Sequence, residues 1–248
     1  MASAGINTAV DWLKQSEYTT AFTGAGISVE SGIPPFRGPE GLWSRYDPIV
    51  LDLDYFHKHA LESWKVIKEI FYDFFGKASP NPAHKALAQM EKAGYLKNII
   101  TQNIDNLHQE AGSGEVIEFH GNSHTLVCTK CGKSYHLSEV NFDRLPVQCQ
   151  ACGGLLKPDF IFFGEGIPAK AYEKSIEAAQ KADLFLVIGT TGEIMPASQI
   201  PVLAKQHGAK MIEINTEASN YTHGITDLFL QGKASVILTQ LIEKLLKD

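Results

Sequence analysis

No stretch of this chain approaches the ~20 consecutive apolar residues of a membrane span, and Asn7, Thr8 and Asp11 fall where a secretory leader needs an unbroken apolar core. Both absences predict a cytoplasmic protein with no membrane partner. Positive charge is also scarce: 22 Lys+Arg face 28 Asp+Glu, a net charge of −6, which gives no general attraction to nucleic acid or anionic lipid. Cysteines number only four, and in a reducing compartment they point to a metal rather than to disulfides. Repeats and low-complexity tracts are missing too. With 44% hydrophobic content, 248 residues can bury a sizeable core, as one large domain or as a domain carrying a smaller insertion.

What is present begins with Tyr18 to Gly38, where a β-favouring run ends in Thr23-Gly24-Ala25-Gly26. Two glycines so close let backbone N–H groups approach a phosphate without Cβ interference, and a strand–glycine–helix order aims a helix N-terminus at an anion. The third glycine of the dinucleotide fingerprint is missing, because Val29 holds its place. The acidic residue expected about 20 positions on has only Asp47 to represent it, before Pro48 in a stretch without a strand pattern. An ordinary dehydrogenase is therefore a poor fit. Gly32-Ile33-Pro34-Pro35-Phe36-Arg37 follows as a stiff loop bringing an aromatic ring and a guanidinium beside the same glycines. On these residues alone, a tight turn with Phe36 packed in the core stays open beside a phosphate cradle.

Ile6, Val10 and Leu13, with Trp12, predict an amphipathic first helix. Trp64, Ile67, Ile70, Phe71 and Phe74 recur at helical spacing before Gly76 and Pro80, so residues 36–80 read as a helical insertion. Asn81-Pro82-Ala83-His84 opens another helix, in which His84 packs or caps. Asn98–Thr101 and Val116–Phe119 are short β-branched strands, joined by a helix of about ten residues. They run into Gln102-Asn103-Ile104-Asp105 and His120-Gly121. The strand pattern resumes at Phe160–Glu165, then, after a helix from about Ala169, at Leu184–Ile188 before Gly189-Thr190-Thr191-Gly192, after a further helix at Lys210–Asn215, and near Asp227–Leu230 ahead of a closing helix. This alternation predicts an α/β fold with a doubly wound, Rossmann-like parallel sheet. Ligands of such sheets sit outside the carboxyl ends of the strands, which would gather Asn103, Asp105 and His120 near the glycine loop.

Cys128-Thr-Lys-Cys131 and Cys149-Gln-Ala-Cys152 are two Cys-x-x-Cys knuckles with a spacer inside the window of about 15–20 residues seen for zinc. Gly132 and Gly153 let backbone amides turn toward the sulfurs. Four thiolates saturate tetrahedral zinc and leave no position for water, so the expectation is one structural zinc in a ribbon. Lys130, Lys133, Arg144 and Lys157 make the insert mildly basic, but Glu139 and Asp143 offset them and no aromatic-interleaved stripe appears; specific nucleic-acid binding is not expected.

Taken together, Gly24-Ala-Gly-Ile-Ser28, Gly32-Ile-Pro-Pro-Phe-Arg37, Gln102-Asn-Ile-Asp105, His120-Gly121, both cysteine pairs, Phe163-Gly-Glu165, Gly189-Thr-Thr191 and Asn215 resemble the sirtuins, the NAD-dependent protein-lysine deacylases, over nearly the whole length. The resemblance implies a small catalytic core with an NAD-binding domain of residues 1-35, 81-121 and 158-248. Its small domain would combine the helical insertion 36-80 with the ribbon 122-157. It also implies that Gly24, Ala25, Gly26, Ser28 and Arg37 hold the NAD phosphates and nicotinamide ribose, and that Phe36 covers the reacting centre. Gln102, Asn103 and Asp105 would orient the nicotinamide end, Asp105 through the carboxamide. Gly189, Thr190, Thr191 and Asn215 would hold the adenosine half, with Ala234 near adenine.

By the same resemblance, the acyl oxygen of an acyl-lysine attacks C1′ of the nicotinamide ribose and nicotinamide leaves. His120, the family's general base, with Asn103 beside it, then helps a ribose hydroxyl attack the imidate, giving free lysine and O-acyl-ADP-ribose. An imidazole with a pKa of about 6.5 suits that task. Ile161, Phe163, Gly164, Glu165 and Glu193 would meet the peptide, which sirtuins pair with as an added strand, while Phe162 walls the acyl channel or faces the core.

Some positions depart from the family. Pro35 stands where many sirtuins carry Asp, and Glu193 enters a loop that is usually apolar. Where desuccinylases carry Tyr-x-x-Arg this chain has Tyr72-Asp73-Phe74-Phe75, which favours neutral acyl groups such as acetyl. The competing readings are an NAD-dependent protein ADP-ribosyltransferase on the same site and a non-enzymatic zinc-ribbon binding module.

Overall fold

The computed structural model describes residues 2–36 and 41–247. Three strands, β1 (Thr19–Thr23), β2 (Asn98–Thr101) and β3 (Val116–Glu118), precede β4 (Gly121–Cys128), β5 (Ser134–His136) and β6 (Leu156–Phe160). The last three are β7 (Leu184–Ile188), β8 (Lys210–Asn215) and β9 (Leu228–Gln231). The first three and last three form one six-stranded sheet, parallel throughout, in the order β3-β2-β1-β7-β8-β9. The chain thus winds outward from β1 in one direction and, after β6, from β1 in the other. The reversal lies between β1 and β7, where a doubly wound sheet opens its ligand crevice. Every residue of β1 and β7 is buried, which explains why these strands read as unbroken apolar or β-branched runs rather than as alternation.

The helices are α1 (Ala2–Gln15), α2 (Leu53–Lys58), α3 (Ala60–Ile67), α4 (Pro82–Lys92), α5 (Leu107–Glu110), α6 (Ala169–Lys181), α7 (Gln199–Gln206) and α8 (Ala234–Leu245). Leu13 of α1, Leu87 of α4 and Leu238 and Leu241 of α8 cover one face of the sheet. Ala178 and Ala179 of α6 and Ile200 and Ala204 of α7 cover the other, around Phe22 and Phe185. At the start of α4, Asn81 accepts from the Ala83 N–H at 2.8 Å and His84 Nδ1 accepts from the Asn81 N–H at 3.4 Å, a reciprocal cap.

Two expectations are corrected. The connection between β2 and β3 holds only the four residues of α5, because residues 102–106 stay irregular, with Asn106 in the left-handed region at φ 63°. The Phe160–Glu165 run does not join the parallel sheet. Its first residue closes β6, which pairs antiparallel with β4 in a three-stranded sheet of order β5-β4-β6, and Phe163 bridges to Asp52 instead. Pro158 inside β6 is tolerated because β6 is an edge strand.

The small sheet and the helices inserted after β1 bury one core together. Phe56, Trp64, Ile67, Ile70 and Phe71 pack with Leu126, Leu156, Phe160 and Phe162. The Trp64 indole N–H donates to the Leu156 carbonyl at 3.0 Å. Phe162 therefore faces this core and not the parallel sheet. Among the described residues no helix is long and apolar enough to cross a membrane.

Candidate active site

The loops after β1 and β7 interlock at the crevice. Gly26 N–H donates to the Gly189 carbonyl at 2.8 Å, and Gly24 N–H to that of Ile188 at 3.0 Å. A Cβ on Gly24 would lie 2.8 Å from the Gly189 oxygen, and one on Gly26 2.7 Å from its Cα. Gly189 itself sits at φ +62°, where a Cβ would come within 2.4 Å of the Ile27 nitrogen. The glycines are thus demanded first by the approach of two loops to each other, a different reason from the ligand clearance expected of them. Ala25 opens a seven-residue 3-10 helix, Ala25–Ser31, capped by Gly24.

Ser28 on that helix is fully buried and forms a hub. Its hydroxyl donates to Asp105 Oδ2 at 2.7 Å and lies 3.2 Å from Asn103 Nδ2, which also donates to the Gly24 carbonyl. Ser28 Oγ is 3.4 Å from His84 Nε2. Because His84 Nδ1 accepts from Asn81, Nε2 carries the proton and points it at the serine. Burial drives the His84 pKa down to about 4, so the ring is neutral near pH 7. Burial also raises the Asp105 carboxyl, against the lowering effect of the Ser28 hydroxyl. Behind this hub, His108 stacks edge-on with His84 and bonds Thr23 Oγ1 at 2.9 Å.

His120 follows β3. Its Nδ1 lies 3.1 Å from the Gln102 carbonyl. A carbonyl can only accept, so Nδ1 bears the proton and Nε2 is left as a lone pair. Burial lowers the His120 pKa, and the Gln102 carbonyl opposes that shift. The backbone carbonyl of His120 accepts from Ile161 N–H at 2.9 Å, which ties the ring's position to the segment expected to meet substrate.

The Gln102 side chain reaches across to Thr190 Oγ1 at 3.1 Å, and Asn215 Nδ2 donates to the Thr190 carbonyl at 2.9 Å. Thr191 accepts through its carbonyl from Asn220 N–H. Ala234 begins α8, whose Ser235 N–H faces Glu30 at the end of the Ser28 helix. Phe36 packs on Trp43 with centroids 5.5 Å apart, and Trp43 on the half-exposed Phe163 at 6.5 Å. Arg37 lies outside the described residues. Gly164 turns the chain at φ +92°. Glu193 is exposed on the loop after Thr191.

Glu165 closes the segment expected to meet the peptide. Its Oε2 accepts from the Phe162 N–H at 2.6 Å and pairs with Lys157 Nζ at 2.9 Å, so the carboxylate is turned into the protein. Sequence reasoning missed Lys157 as its partner and His108 as a neighbour of the hub. The one available signal for His84 was its place three residues after Asn81, which marks a cap and says nothing of Ser28.

The four cysteine sulfurs lie within 4.8 Å of one another. Cys128 and Cys152 are 3.5 Å apart and Cys131 and Cys149 3.8 Å, far longer than a disulfide and close to the ~3.8 Å edge of a zinc–thiolate tetrahedron with ~2.3 Å arms. Backbone N–H groups of Lys130 and Cys131 face Cys128 Sγ, and the Tyr135 hydroxyl lies 3.1 Å from Cys149 Sγ. This donor set fits a zinc ion.

The model of the Sir2 family matches residues 24–196. The NAD-dependent protein deacylase 2 of Pyrobaculum aerophilum is 44% identical over 238 residues, covering 94% of this chain and 93% of that protein. The NAD-dependent protein deacylase of Pyrococcus furiosus is 43% identical over 246 residues, covering 94% and 95%. Among solved structures, a Sir2 homolog–NAD complex superposes with a TM-score of 0.90 at 38% identity, covering 97% of this chain and 94% of that one. A Sir2–p53 peptide–NAD+ complex gives 0.89 at 34% identity, covering 96% and 98%.

Proposed function

The chain belongs to the Sir2 family, and from that membership we infer an NAD-dependent protein-lysine deacylase, which moves the acyl group of an acyl-lysine to ADP-ribose and releases nicotinamide. The observation that carries the site assignment is His120. Its proton is committed to the Gln102 carbonyl on one nitrogen, which leaves a lone pair on the other, at the carboxyl ends of the strands.

The polar groups of the crevice suit NAD. When bound, it supplies an electrophilic ribose carbon from which nicotinamide departs. In this reading Asp105, held by Ser28 and by the Leu107 N–H, meets the carboxamide, and Asn103 orients the nicotinamide ribose. Gly24, Ala25, Gly26 and Arg37 take the phosphates in this reading, and Gly189, Thr190, Thr191, Asn215 and Ala234 the adenosine half. His120 Nε2 removes a proton from a ribose hydroxyl.

Phe36 and Phe163, linked through Trp43, line the entry for the neutral acyl chain. Ile161 and Gly164 offer backbone to the peptide, with Glu193 across the cleft. Phe75 takes the place of a guanidinium on the helical insertion, and Asp73 is already paired with Lys68 at 2.7 Å, so neutral acyl groups are preferred. Residues 1-35, 81-121 and 158-248 make the NAD-binding part of this proposal, and 36-80 with 122-157 the smaller part. One zinc on Cys128, Cys131, Cys149 and Cys152 is structural. Cysteines gathered as a thiolate donor set rather than as disulfides also favour a reducing, cytoplasmic setting.

Mass spectrometry of the protein with NAD and an acetyl-lysine peptide tests the reading. Expected products are nicotinamide, deacetylated peptide and acetyl-ADP-ribose in equal amounts, with a rate loss of about 10²–10⁴-fold in His120→Ala. ADP-ribose mass retained on a protein acceptor, without deacetylation, would instead indicate ADP-ribosyl transfer.

A further inference from the structure

Glu213 lies on β8, two positions before Asn215, and is 0% exposed. Its carboxylate is held by neutral donors. Oε1 accepts from the Ser219 hydroxyl at 2.6 Å and faces Asn215 Nδ2 at 3.3 Å, while Oε2 accepts from the Thr222 and Thr226 hydroxyls, each at 2.8 Å. A buried carboxylate is tolerated only when its lone pairs are used in this way. The catalytic chemistry makes no use of it.

Its effect falls on Asn215. The Asn215 amide nitrogen faces Glu213 and the Thr190 carbonyl, the latter at 2.9 Å. Both are pure acceptors, so the amide cannot flip: nitrogen must point at them, and both its protons are committed. Oδ1 is then the atom that Asn215 has left to offer, and an amide oxygen can only accept, as from a hydroxyl. The loop supplying the three hydroxyls is itself fastened to the β7 loop. Asn220 donates from its backbone to the Thr191 carbonyl at 3.0 Å and from its side chain to that of Gly192 at 3.3 Å. The Tyr221 ring covers Gly192 so closely that a Cβ there would lie 2.7 Å from it.

We propose that Glu213 is a positioning residue for NAD: it fixes the Asn215 amide with its oxygen toward the ribose hydroxyls of the adenosine half, and it anchors the loop that backs that subsite. The inference rests on the assignment of Asn215 to NAD given above.

The test measures ADP-ribose affinity by calorimetry and nicotinamide inhibition by steady-state kinetics, at a temperature where circular dichroism shows each variant folded. Glu213→Gln keeps the shape but sets an amide donor among donors. Its expected result is a Kd for ADP-ribose raised about tenfold, with the nicotinamide inhibition constant within twofold of the parent, because only one end of the cofactor is affected. Should Glu213→Gln not fold, Ser219→Ala removes the hydroxyl that steadies Oε1, the oxygen facing Asn215, and raises the same Kd about threefold. A folded variant whose ADP-ribose Kd stays within twofold of the parent overturns the inference, as does an equal loss for nicotinamide. A parent that binds no ADP-ribose overturns the Asn215 assignment and this inference together.

Discussion

An imidazole that must take a proton works only while neutral, and burial biases His120 toward that state by lowering its pKa from the ordinary 6.5. The sign follows directly. Activity is full above the shifted pKa and is lost as pH falls through it, so the acid limb of kcat/KM has its midpoint below 6.5. A pH–rate profile in NAD-saturated assays checks this, and a midpoint at or above 6.5 would contradict it. While its role as base came only from the resemblance to sirtuins, that His120 lies at the ligand edge was legible, because a β-branched strand runs into it. Which nitrogen is free was not, since the Gln102 carbonyl that decides it lies 18 residues earlier and meets the ring only in the folded sheet.

The segment following β6 depends on one ammonium. Lys157 Nζ donates to the carbonyls of Pro158 and Phe160, each at 2.8 Å, pairs with Glu165, and sits 4.3 Å from the centre of the Phe162 ring. Its side chain is only 12% exposed, and burial lowers its pKa while Glu165 resists the shift. Lys157→Met would leave the Glu165 carboxylate largely uncompensated and cost about 3 kcal/mol, whereas Lys157→Arg keeps a cation there and costs less. Urea unfolding of both variants checks the ordering; equal losses would deny the ion pair its role. Elements such as Leu184–Ile188 were readable from composition alone, because a doubly covered strand is apolar throughout. Phe160–Glu165 misled for the same reason: an apolar run states that it is buried, not which sheet buries it. Glu213 and Lys157 left no sequence signal, since their partners are set by loop geometry.

Across the molecule, the order of the glycine, Gln102–Asp105, His120 and Gly189 segments was legible because a doubly wound sheet delivers every strand's carboxyl end to one edge. The union of the helical insertion with the ribbon was not legible, for Trp64 and Leu156 are 92 residues apart and their hydrogen bond exists only through the common core. That bond gives the protein an internal optical reporter. Trp64 has no exposed surface, and its indole is tied to the backbone four residues beyond Cys152. Chelation of a metal held on the four cysteines, as proposed, should therefore shift tryptophan emission to the red and speed amide hydrogen exchange in α2 and α3, far from any cysteine in sequence, while β1 and β7 stay protected. An unchanged spectrum and exchange pattern on full metal removal would mean that the aromatic core stands without the knuckles. The expected pattern would make metal content readable from the fluorescence of a helix that binds none.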